Sequence, residues 1–125
     1  MATLDQTKKV ETILRNLSNA SPDILGSAVV NLEGFVIASL LTSQIENDAL
    51  AGMSAAMLGV GGKMCKELMG ADMRQTYARS DQGYIVLNEV GDDAMLIILA
   101  NPRAKLGLLF LDIKRRVPEI LKALK

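Results

Sequence analysis

The residues able to do chemistry in this chain are few, and histidine is not among them. Its absence removes the commonest general base, metal ligand and pH switch. Ser/His/Asp and Cys/His nucleophile systems fall with it, and the usual zinc patterns need more than the lone Cys65. One run, Gly59-Val60-Gly61-Gly62-Lys63, has the outline of a phosphate-cradling loop. Such a loop requires a Gly five residues before its last Gly and a Ser or Thr after the Lys. Here those positions hold Met57 and Met64, and no strand leads into the run, so it reads as small residues inside a helix. Cys65 reads as a small buried hydrophobe rather than a redox thiol.

The charged residues invite two further readings. Arg74 and Arg79 could complete another protein's phosphoryl-transfer site as arginine fingers; the plainer reading is an edge strand kept soluble by charge. Arg115-Arg116, with Lys105, Lys114 and Lys122, could form a basic patch on the last helix. Asp112 and Glu119 interrupt it, which favours a solvated helix face. The acidic residues fall in caps and turns, where backbone roles account for them. The expectation is a chain with no catalytic residues, no metal and no cofactor.

The elements around these residues can be read from capping, periodicity and turns. With 125 residues, half of them hydrophobic, the chain has room for one domain over 1–125 and one sizeable core. Aromatics make up only 3%, so that core is aliphatic. Fourteen basic and fourteen acidic residues cancel, leaving no net field toward nucleic acid or anionic membrane. A single cysteine fits a reducing compartment, the N-terminal residues lack a signal-peptide pattern, and no apolar run is long enough for membrane insertion. A cytoplasmic location is expected.

Thr3 and Gln6 form a capping box, followed by Val10, Ile13, Leu14 and Leu17 at helical spacing to about Asn19. Two β-branched runs, 27–32 and 35–39, flank Glu33-Gly34 and predict a tight hairpin. Ser43 to Glu46 reads as a second capping box, opening a helix that ends at Met69 before Gly70. Three strands follow, over 72–79, 84–90 and 94–100; the last, apolar throughout, is expected to be central. Asn101-Pro102 reads as the start of the last helix, with Leu106, Leu109, Phe110, Ile113, Val117, Ile120 and Leu124 as its buried stripe and a kink at Pro118. The order α-β-β-α-β-β-β-α implies an α/β (α+β) sandwich, a five-stranded mostly antiparallel sheet with helices on both faces.

The central helix carries the functional signal. From Ala49 to Gly62, apart from its caps, it holds no charge. On a wheel of about 100° per residue, Leu50, Met53, Met57, Val60, Met64 and Leu68 share one bulky face, expected to pack on the sheet. The other side carries Ala51, Ala55, Leu58, Gly59 and Gly62. Each helical Gly costs about 1 kcal/mol relative to Ala, and close approach of a second backbone would offset that. The candidate interface is therefore Ala51, Ala55, Leu58, Gly59 and Gly62, completed by Met73, Gln75 and Tyr77 on the polar edge strand next in the chain.

Residues Pro22 to Ser39, with the Gly34 turn between two apolar strands, resemble the opening hairpin of the Roadblock/dynein light chain family. The small-residue helix, the Gly83 and Gly91 turns and the Leu-rich last helix continue the likeness over nearly the whole chain. The resemblance implies the Roadblock-type (profilin-like) fold and a homodimer with antiparallel central helices and joined third strands. It also implies a small Ras-like GTPase as partner, activated or scaffolded without a catalytic site of the chain's own. A non-catalytic adaptor in a motor or signalling complex and a small-molecule sensor are the competing expectations.

Overall fold

A computed structural model of the chain describes residues 2–42 and 44–125. The first helix, α1 (Leu4–Ala20), opens on the expected capping box: the Gln6 N–H donates to Thr3 Oγ1 at 3.1 Å, and the Thr3 N–H to Gln6 Oε1 at 2.8 Å. The Gln6 amide also donates to the Leu124 carbonyl at 3.1 Å, tying the start of α1 to the chain's last turn.

The hairpin of β1 (Ile24–Asn31) and β2 (Val36–Leu40) follows. Asn31 Oδ1 accepts the Glu33 and Phe35 N–H groups at 3.0 Å each. Gly34 closes the turn at φ 93°, a conformation that side chains disfavour. Next come α2 (Asn47–Met69), β3 (Gln75–Ser80), β4 (Gly83–Val90), β5 (Ala94–Ala100) and α3 (Leu106–Ala123). The sheet order is β2-β1-β5-β4-β3, and every pair is antiparallel. The apolar strand β5 is central as expected, hydrogen-bonded to β1 and β4.

Four element boundaries differ from the sequence reading by three residues or more. The first strand begins at Ile24 rather than 27, because Ile24 and Gly26 already pair with β5 at Ala100 and Leu99. The Ser43 end of the second capping box lies outside the described residues; α2 starts at Asn47 with Glu46 as N-cap, making no side-chain capping bond. The third strand begins at Gln75 rather than 72, because Met73 turns toward α2 and Asp72 pairs with Lys66 at 3.6 Å. The last helix begins at Leu106, not at Asn101-Pro102. Asn101 does not cap it: its Oδ1 accepts the Arg103 N–H at 2.9 Å and its amide donates to Asp23 Oδ1 at 3.1 Å, fastening the turn to the start of β1. Pro118 lies within α3, and the helix continues through it.

The core has two unequal layers. Alternation along the strands sends Val29, Val86, Leu96 and Ile98 toward α1 and α3, where Leu14, Leu17, Leu109, Ile113 and Ile120 meet them. Ala28, Val30, Leu87, Met95 and Ile97 point the other way, toward α2. That second layer is thin, since α2 buries only Leu50, Ala51 and Ser54 of its 23 residues.

Candidate interaction surface

The sheet-facing side of α2 is not the one the helical wheel suggested. Ala51 is fully buried and Ser54 nearly so, Met57 and Leu58 pack against the thin core layer, and Gly61 faces Met73. A Cβ at Gly61 would sit 2.6 Å from the Met73 sulfur. Met53, Val60, Met64 and Leu68, expected under the helix, are instead exposed, at 66%, 65%, 56% and 76%. Of that expected face only Leu50 is buried and Met57 partly so.

The cause is fit. Ala51 packs with Leu50 into the thin layer formed with Ala28, Val30, Leu87, Met95 and Ile97, and Gly61 leaves room for the Met73 side chain, where a bulkier residue would force a shift. The helix therefore buries a sector between the two apolar faces of the wheel. A signal for this was present in the sequence: Lys63 and Glu67 lie on the same side as Val60 and Met64. In the structure they are exposed and paired across one turn at 3.9 Å.

The residues read as an interface are dispersed by this rotation. Ala51 lies under the helix, Ala55, Leu58 and Gly62 are half-buried, and Gly59 is open to solvent. Met73 and Gln75 are half-buried, the latter donating to Asn88 Oδ1 at 2.8 Å. Tyr77 belongs to the opposite side of the sheet, its ring 5.8 Å from Phe110 and 6.3 Å edge-on from Tyr84. Cys65, expected to be buried, is half-buried.

What the structure does bring together is an outward stripe along α2: Met53, Ala56, Val60 and Met64, with Gly52 and Gly59 beside it. A Cβ on Gly52 or Gly59 would meet nothing within 4 Å, so no close approach inside the chain accounts for either glycine. The outer strand β3, next after α2 in the chain, pairs only with β4 among the described residues. Its Thr76 and Ala78 lie opposite Leu87 and Ile85, placing them on the α2 side of the sheet, where Ile85 is 41% exposed. An apolar helix stripe and an open strand edge thus lie on the same side of the sheet.

The charged groups offer no reacting centre. Arg74 is bound to Glu89, whose hydrogen bond and charge raise the guanidinium above its ordinary value. Arg79 is exposed and in no ion pair among the described residues. No group of acidic or cysteine side chains suited to a metal ion occurs among the described residues. Gly59 to Lys63 lies in the interior of α2, with the helix geometry expected of it. No described helix is long and apolar enough to cross a membrane.

Comparison with known proteins agrees with this architecture. The Roadblock/LC7 domain model matches residues 9–100. The uncharacterized protein MJ0310 of Methanocaldococcus jannaschii is 27% identical over 111 residues, spanning 89% of this chain and 96% of that one. MglB of Myxococcus xanthus superposes with a TM-score of 0.88 at 20% identity, over 98% of this chain and 91% of that chain. Profilin IB of Acanthamoeba castellanii shares the fold at a TM-score of 0.66 and 11% identity, over 90% and 96% of the two chains.

Proposed function

The chain belongs to the Roadblock/LC7 domain family, and from that premise we propose that it is a homodimeric regulator of a small Ras-like GTPase, acting by contact and without a catalytic site of its own. The observation that carries the reading is the outward stripe of α2. Met53, Val60 and Met64 are each more than half exposed, and a Cβ on Gly52 or Gly59 beside them would meet nothing within 4 Å. A second α2 laid antiparallel on this stripe would bury the methionines and bring backbone close to Gly52 and Gly59. The contact is isologous, each stripe covering its own copy. The edge of β3, with Thr76 and Ala78 on the same side, extends that contact by strand pairing. Gly59 and Ala55 remain in the proposed interface, Ala55 at its margin, while Ala51 serves the chain's own core.

The dimer presents the GTPase with a continuous surface made of two α2 helices and the hairpin ends beside them. The proposed role is to hold the GTPase's mobile segments in one arrangement, changing its turnover by population shift. The test is capture of Ras-like GTPases from host lysate on immobilised protein, followed by GTP turnover of whatever binds. Accelerated or slowed hydrolysis supports the regulator. Binding with unchanged turnover selects an adaptor instead. Absence of any GTPase from the captured proteins, with purified GTPases also inert, overturns both.

A further inference from the structure

A net charge of zero hides a marked separation of charge. Ten of the fourteen basic residues, but only four of the fourteen acidic ones, lie in α1, the turn after β5, α3 and the C-terminal residue. That layer carries a surplus of six positive charges, and the rest of the molecule an equal negative surplus. The basic surplus is concentrated on the outer side of α3, where Lys105, Lys114, Arg115 and Lys122 are all exposed. Between them Leu108 and Leu111 stand 59% and 42% exposed, with no part in the core. The two acidic residues of α3 are occupied or withdrawn: Glu119 pairs with Arg116 at 3.0 Å, and Asp112 is half-buried. The helix thus has two amphipathic faces, one for the sheet and one outward.

We propose that the outer face of α3 is a docking site for an anionic lipid surface, with Leu108 and Leu111 seated at the boundary between headgroups and acyl chains and the flanking Lys and Arg on the phosphates. Apolar side chains framed by Lys and Arg on one exposed helix face are the pattern that lies flat on a charged bilayer. A protein partner is a poorer fit. Protein interfaces are depleted in Lys and enriched in aromatic side chains, whereas this face is Lys-rich and the one aromatic residue of α3, Phe110, is turned to Tyr77. The face lies across the sheet from α2, so it is complete in one chain and stays open when α2 is covered. If the dimer forms as proposed above, edge-to-edge sheets put both α3 faces on one side and bind a membrane bivalently. That gain alone rests on the dimer.

Flotation with phosphatidylcholine vesicles, with or without about 30% phosphatidylglycerol, tests the site. The protein floats only with the anionic vesicles at about 0.1 M salt and is released at about 0.5 M. Each basic residue near the surface is worth about fivefold in binding, so Lys114→Glu with Arg115→Glu lowers it by about 25-fold or more. Leu108→Ser with Leu111→Ser weakens binding while all the charge remains. Val60→Asp, aimed at the dimer, reduces binding to that of a single face without abolishing it, and sedimentation of the same sample reports the dimer separately. No flotation with anionic vesicles overturns the proposal, as does flotation indifferent to both double variants. Capture of the protein by heparin or an acidic peptide with inert vesicles also overturns it and assigns the face to an acidic macromolecule.

Discussion

Replacing Val60 by Asp tests the rotation of α2 and the proposed dimer together. The Val60 side chain is 65% exposed within one chain and touches neither core layer. Complete burial of a Val is worth roughly 1.5–3 kcal/mol, so covering the exposed part in a dimer contributes roughly 1–2 kcal/mol per copy. An Asp in the same place loses that contribution and carries a charge into an apolar seam, costing at least roughly 2 kcal/mol more per copy. A two-fold contact counts each change twice, giving roughly 6 kcal/mol or more, about four decades in Kd. Sedimentation equilibrium is expected to show the wild type as a dimer at micromolar concentration and Val60→Asp as a monomer at the highest soluble concentration. Far-UV circular dichroism of the variant keeps the wild-type helix and strand content, because nothing in the single chain rests on Val60. Ala51→Asp behaves differently: its site is fully buried, so the charge unfolds the chain. A Val60→Asp protein that still sediments as the wild-type dimer, or one that unfolds, refutes the assignment of the outward face.

Three stability predictions follow from single atoms. Ser27 Oγ is fully buried without a hydrogen-bond partner, so Ser27→Ala raises stability by about 1 kcal/mol, read as an increase of about 3 °C in Tm; a lower Tm would show that the hydroxyl is satisfied. Gly83 sits at φ 135° with the Ala100 carbonyl oxygen where a Cβ would stand, and Gly83→Ala is expected to lose about 3 kcal/mol or more in urea unfolding. Thr3→Ala removes half of the capping box and costs about 1 kcal/mol, a loss that Thr3→Ser largely recovers if the hydroxyl is the cause.

Local chemistry was legible wherever it decided the structure locally. The capping box at Thr3 and the left-handed cap at Gly70 each need only a few adjacent residues and appear as read; the hairpin also turns at Gly34, but through a loop of Leu32–Phe35 rather than the two residues Glu33-Gly34. The central place of β5 was legible because a strand apolar on every residue can be covered only from both faces. The start of α3 was not, because the partner that takes up Asn101 is Asp23, 78 residues earlier in the chain. No local pattern reports such a contact.

The side that α2 turns to the sheet was illegible for a different reason. The wheel divides the helix into a bulky apolar sector and a small apolar sector, and hydrophobicity alone ranks the bulky one inward. Packing reverses the choice, since Ala51 and Ser54 are the residues buried and Gly61 makes room for Met73, while Met53 and Met64 stay outside. The small residues therefore answer two demands that composition cannot separate. Ala51 serves the chain's own core and Gly61 its contact with Met73, while Gly52 and Gly59 lie outside, each at a helix cost of about 1 kcal/mol relative to Ala. A helix that buries only three of its 23 residues has little intrachain packing to offset that cost. In the proposed dimer the offset comes from outside the chain, where an apolar stripe with backbone exposed at two glycines receives a second α2.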